Sequence, residues 1–65
     1  MTREEAIPGA IVVRLDRKGE RIDPRVMRVV GVDGSLAQLR YDYSGRMLGW
    51  IALSRLRLAT EEEKR

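Results

Sequence analysis

Arginine is the side chain with the most chemistry to offer in this chain of 65 residues. Arg14, Arg17, Arg21, Arg25, Arg28, Arg40, Arg46, Arg55 and Arg57, with Lys18, fall between residues 6 and 59. Only Asp16, Glu20, Asp23, Asp33 and Asp42 oppose them there, so that stretch carries +5, while residues 1–5 and 60–65 are each net −1. A guanidinium is a planar fork of donors that matches phosphate or carboxylate, so the charge points to an anionic partner, nucleic acid first. The polar face that any small soluble domain needs is the competing use of the same residues. Three rings accompany the charge: Tyr41, Tyr43 and Trp50. An exposed Trp50 beside Tyr43 would stack a base or anchor a protein partner, whereas a buried Trp50 would plug the end of a core that has no Phe.

Other chemistry is largely excluded by composition. The chain has no Cys and no His, which removes disulfides, thiol nucleophiles and the commonest general base and metal ligand. No spacing pairs two carboxylates for acid–base work, and Asp16, Asp33 and Asp42 read as turn formers or arginine partners. Gly31, Gly34, Gly45 and Gly49 do not form a phosphate loop; they read as turn or crowded strand positions. The expectation is a non-enzymatic protein with no cofactor and no metal.

The elements that must position these residues follow from hydrophobic period. With 43% hydrophobic and 35% charged residues, the chain has the composition of one globular domain with an aliphatic core. Ala10 to Asp16 alternates as a half-buried strand, with Ile11, Val13 and Leu15 expected inward. Residues 17–24, charged and bracketed by Gly19 and Pro24, read as a long exposed loop. A second strand runs from Arg25 to Val32 in either of two registers, Val26, Val30 and Val32 opposing Met27 and Val29. Asp33-Gly34 predicts a type I′ hairpin turn into a third strand, Leu36 to Tyr43, with Ala37, Leu39 and Tyr41 inward. Ser44-Gly45 turns the chain into a fourth strand, Arg46 to Leu53. There Met47, Gly49, Ile51 and Leu53 share one face, and Leu48, Trp50 and Ala52 the other. Beyond it the spacing of Leu53, Leu56 and Leu58 fits a single helical turn and a short strand, with a continuous C-terminal helix from Ala52 as the rival. Thr60 and Glu63 match a capping box, but no apolar face follows, so the end reads as a frayed tail or one loose turn.

This order predicts an all-β fold, a small five-stranded SH3-like (Tudor-like) barrel with a single helical turn before the last strand. Residues 9–59 form the barrel, 1–8 an N-terminal tail and 60–65 a charged C-terminal tail. Gly9-x-x-Val12-x-x-Leu15, Gly19, Pro24-x-x-Met27-x-Val29 and Leu39-Arg40-Tyr41 resemble the small bacterial YodC-like proteins, a resemblance that implies the barrel and little about activity. Asp42-Tyr43-Ser44-Gly45 followed by Leu56-Arg57 is similar to Tudor domains, which implies Tyr43 as one wall of an aromatic cage. Ala6-Ile7-Pro8-Gly9 resembles the start of HypC-type hydrogenase maturation chaperones, with Thr2 where their essential Cys stands. Leu48-Gly49-Trp50-Ile51 occupies the place of the Val-Gln-Ile-Tyr strand of type II dihydrofolate reductases, without its Gln.

Together these readings give a nucleic-acid-binding module whose contact residues are Arg17, Lys18, Arg21, Arg28, Arg40, Tyr43, Arg46 and Trp50. The alternative is a protein-interaction or inhibitor module acting on a larger complex through an apolar strand face. A homodimer burying Leu48 and Trp50 is also expected. With no targeting signal and no apolar run long enough to span a bilayer, the expected location is the cytoplasm, with no membrane partner.

Overall fold

The computed structural model describes residues 1–65. Five strands follow in order: β1 (Ile11–Arg14), β2 (Met27–Asp33), β3 (Leu36–Tyr41), β4 (Met47–Ala52) and, after a 3₁₀ turn at Leu53–Arg55, β5 (Leu56–Leu58). They form one antiparallel sheet in the order β4-β3-β2-β1-β5, the five-stranded SH3-like barrel with its single helical turn before the last strand. The continuous helix from Ala52 does not form, since Leu56 is already extended at φ −129° and ψ 150°. No helix is long and apolar enough to cross a membrane.

The core is aliphatic. Val12, Met27, Val29, Ala37, Leu39, Leu53 and Leu56 pack together with Ala6, and Val32, Tyr41, Leu48 and Ile51 lean against them. In β1 the expected inward set holds only in part: Val13 is fully buried, but Ile11 and Leu15 are half-buried and Val12 is the residue that joins the main cluster. Val12 pairs with Met27 and belongs to the core, whereas Ile11 is opposite Arg28 and Val13 is opposite Arg57, so the odd positions face outward. Val13 is nonetheless fully buried, because the C-terminal segment covers that face.

Two bulges explain why simple alternation misassigned other positions. In β2 the register shifts between Val29 and Gly31, which puts Met27 and Val29 inward before the bulge and Val32 after it, so each candidate register holds for part of the strand. In β4 Gly49 is opposite Leu39 but Met47 is opposite Arg40. Leu48 is therefore the core-facing residue and Met47 is exposed, the reverse of the expected pair. Gly49 has φ +90° with open space where a Cβ would lie, so backbone conformation, not crowding, selects glycine there. The β2–β3 turn is also displaced by one residue. Asp33 pairs with Leu36, the two loop residues are Gly34 and Ser35, and only Gly34 has positive φ, the pattern of a II′ turn and not I′.

Both ends of the chain are built into the barrel. Thr2 and Glu5 cap each other reciprocally, Met1 packs on the core, and Ala6 is buried within it. Thr60 and Glu63 repeat the same capping box at the other end, where Ala59 is buried and its N–H donates to the Ile11 carbonyl. Of the two alternatives for residues 60–65, a frayed tail or one loose turn, the turn forms, and Glu63 holds it through Arg57 and the distant Arg21.

Candidate nucleic-acid interface

The last residues of the loop after β1 meet the loop after β3: Tyr41 reaches Asp23, the Asp42 N–H donates to the Val26 carbonyl and Arg25 lies over Tyr43. Arg17 and Lys18 occupy the tip of the first loop, both exposed. Asp16 builds that tip: its Oδ1 accepts the N–H groups of Lys18 and Glu20 at 2.8 and 2.9 Å. Neither basic side chain has a carboxylate partner.

Arg21 is differently employed. Its Nε donates to the Asp23 carbonyl at 2.8 Å, Nη2 to the Pro24 carbonyl at 2.7 Å and Nη1 to Glu63 at 3.1 Å, so its donors are spent inside the fold. Glu63 also takes both terminal nitrogens of Arg57, at 2.7 and 3.0 Å, and Thr60 donates its N–H to the same carboxylate at 2.9 Å. The Arg57 hydrogen bonds and then the Thr60 amide pull the Glu63 carboxyl from its ordinary value down to about 2. Its side chain is only 15% exposed. Because Arg57 stands opposite Val13 and Arg21 opposite Leu15, the bridging carboxylate closes over the outer face of β1.

Arg28 and Arg40 face each other across β2 and β3, as a basic stripe requires. Arg28 is committed, its Nε and Nη2 reaching Asp42 Oδ1 at 2.9 and 2.8 Å and its Nη1 donating to the Gly9 carbonyl. Arg40 is exposed and has no ion pair; it extends toward the β3–β4 loop, where its Nη1 lies 3.7 Å from the position a Cβ would take on Gly45. Arg46 closes that loop through its carbonyl, which accepts the Tyr41 N–H, and its side chain is exposed and unpaired. It lies just before β4, outside the strand register that aligns Arg28 with Arg40.

The residues that sequence reasoning missed are Arg25 and its setting. The rings of Tyr41 and Tyr43 lie 5.5 Å apart, tilted by 56°. The Arg25 guanidinium carbon sits over both, 5.0 Å from the Tyr43 centroid and 5.7 Å from that of Tyr41. Tyr41 donates its hydroxyl to Asp23 Oδ2 at 2.9 Å, and Asp23 Oδ1 accepts the Arg25 N–H at 2.9 Å. The Arg25 amide holds the Asp23 carboxyl below its usual range, and the bond to Asp23 pushes the Tyr41 hydroxyl up. Tyr43 is 65% exposed. A cation does occupy the tyrosine pair, as a cage would require, but it is the chain's own Arg25. The available signal was the pair of tyrosines two residues apart, which places both rings at one strand end; nothing local linked them to a residue 16 positions earlier.

No known relative emerges. Comparison with protein-family models, curated proteins and solved structures finds no match.

Trp50 is 48% exposed and sits opposite Gln38, on the outer face that also presents Arg40 and Met47. It is a surface residue and not the barrel plug. The bulge separates it from Leu48, so the expected shared face of Leu48 and Trp50 does not exist. In its place the outer sheet surface exposes Val30, Leu36 and Met47 with Trp50.

Proposed function

We propose that this barrel is a non-enzymatic module that binds nucleic acid at the end where the β1–β2 and β3–β4 loops meet. The observation that carries the reading is Arg25. Its guanidinium face is held by two tyrosine rings, yet it makes no side-chain hydrogen bond, so its donors are positioned and unspent. A guanidinium in that state is prepared for phosphate, since its orientation is fixed before the ligand arrives. Arg40 and Arg46, on β3 and in the β3–β4 loop, add unpaired charge, Arg17 and Lys18 add more at the tip of the β1–β2 loop, and Tyr43 offers an exposed ring. Arg21 and Arg28 serve instead to hold the scaffold. Titration of labelled single- and double-stranded DNA and RNA at low and moderate salt tests the proposal. Binding that weakens steeply with salt is expected, and no binding at low salt would overturn it.

A second reading rests on Val30, Leu36, Met47 and Trp50, an apolar group on the outer face that suits a protein partner. Such binding would survive high salt. A pull-down that recovers no protein at either salt concentration counts against it.

A further inference from the structure

We infer that the ligand is single-stranded nucleic acid, bound across two separate base-stacking stations, Tyr43 and Trp50, with Arg40 linking them. This inference rests on the nucleic-acid reading and narrows it.

Two exposed rings and one unpaired guanidinium belong to neighbouring parts of β3, β4 and the loop that joins them. Trp50 lies on the outer face opposite Gln38, and Arg40 is two residues along β3 on the same face, a diagonal of roughly 7–8 Å between backbone positions. Arg40 then extends to Gly45, in the loop that carries Tyr43. Arg40 thus links the Trp50 position to the β3–β4 loop, whose Tyr43 lies beneath Arg25. Rings and cations in one neighbourhood suit a strand whose bases turn toward the protein while its phosphates pass the guanidiniums.

A duplex cannot use this arrangement. Its bases are already stacked on each other, so a ring on a protein surface meets only sugar and phosphate unless the helix is opened. Unpaired bases present both faces, and an aromatic platform accepts any of them, which makes the contact tolerant of sequence. Two half-exposed rings near an unpaired cation are thus matched to single strands, whereas Arg17, Lys18, Arg25 and Arg46 would attract either form.

Trp50 is the sole tryptophan, so its fluorescence reports directly on one station. Oligo(dT), which forms little structure of its own, and a hairpin duplex of similar length are the probes, titrated at low salt with affinity read independently by anisotropy of labelled strands. Oligo(dT) is expected to bind at least about tenfold more tightly than the duplex and to quench Trp50. Trp50→Ala and Tyr43→Ala are each expected to weaken oligo(dT) binding by about 5- to 100-fold, with Trp50→Phe retaining most of the affinity. Circular dichroism of each variant confirms that the barrel is intact, and the Phe variant keeps the test valid should the Ala variant unfold. Equal affinity for both probes with unchanged Trp50 emission would overturn the single-strand inference and leave the broader nucleic-acid reading standing. Failure of both probes to bind would remove both.

Discussion

The barrel carries two arginine clusters that differ in what the guanidiniums meet. Around Glu63, two arginines share one carboxylate, and the hydrogen bonds of Arg21 run to backbone carbonyls and that same acid. Around Tyr41 and Tyr43, Arg25 is held by ring faces and spends none of its side-chain donors. The first cluster is closed and structural: it pins the C-terminal turn over Val13. The second is open, with orientation fixed and hydrogen-bonding capacity left for something else. Counting arginines cannot separate the two, because what distinguishes them is whether the guanidinium donors reach an acid: those of Arg57 and Arg21 reach Glu63, whereas Asp23 beside Arg25 takes the tyrosine hydroxyl and the Arg25 backbone N–H.

The largest effects that test this contrast concern stability at the closed cluster. Val13→Ala is expected to cost about 2 kcal/mol, from two lost methyl groups and the small void left beneath the Glu63 bridge. In a domain of this size that lowers the thermal midpoint by roughly 10 °C. Nucleic-acid affinity under conditions where the variant is folded should stay unchanged; a stable variant with impaired binding would blur the division.

Arg25→Ala should show the opposite pattern. Loss of an exposed cation–π contact costs below about 1 kcal/mol of stability. Binding should fall roughly tenfold, as expected when one charge-assisted phosphate contact is removed. Thermal melting and anisotropy titration on the same preparation check both halves.

Acid titration sharpens the closed side. Glu63 is ionised more readily in the folded chain than its ordinary value of 4.5, down to about 2. Its contribution to stability is therefore complete above roughly pH 4.5 and drains away as pH falls toward 2, because protonation then favours the unfolded chain. Asp23 and Glu5 are shifted the same way and add to the slope. Glu63→Gln keeps a capping side chain at that position but removes the ion pairs. Its melting temperature should be lower than that of the parent at neutral pH, with the difference shrinking across that acid window. A difference independent of pH would mean that the carboxylate charge contributes nothing.

The smallest effect belongs to Arg40. Arg40→Gln is expected to reduce the slope of log affinity against log salt by about 0.7 for a single strand, one phosphate contact's worth, with stability unaffected.

The parts of this molecule legible in sequence were those governed by local period and turn chemistry. Ala37 and Leu39 alternate cleanly in β3 and are buried as that pattern requires, and Tyr41 leans on the same core. The 3₁₀ turn and short last strand follow from the break in spacing at Ser54-Arg55. Bulges were not legible, because an extra residue at Val30 or Leu48 leaves composition unchanged and only inverts which face each neighbour takes. That inversion moved Met47 outward and Leu48 inward. The mixed burial of β1 has a different origin: Val12 and Val13 are both buried, one by the core and one by the C-terminal turn, so hydrophobicity could not choose between them. At the site, Trp50, Tyr43, Arg40 and Arg46 are exposed as a contact surface requires. The commitment of Arg21 to Glu63 spans 42 residues and the stacking of Arg25 on Tyr43 spans 18; both are consequences of long-range packing that no short window contains.

The division between an open and a closed cluster is tested most directly by backbone amide shifts during titration of the isotope-labelled protein with oligo(dT) at low salt. The largest perturbations are expected at Arg25, Arg40, Tyr43, Gly45 and Arg46, with the Trp50 indole N–H moving as well. Residues 57–65 around Glu63 should barely shift. Perturbations centred on that C-terminal turn, or spread evenly over the barrel, would contradict the assignment of the Tyr41, Tyr43 and Arg25 end as the binding surface.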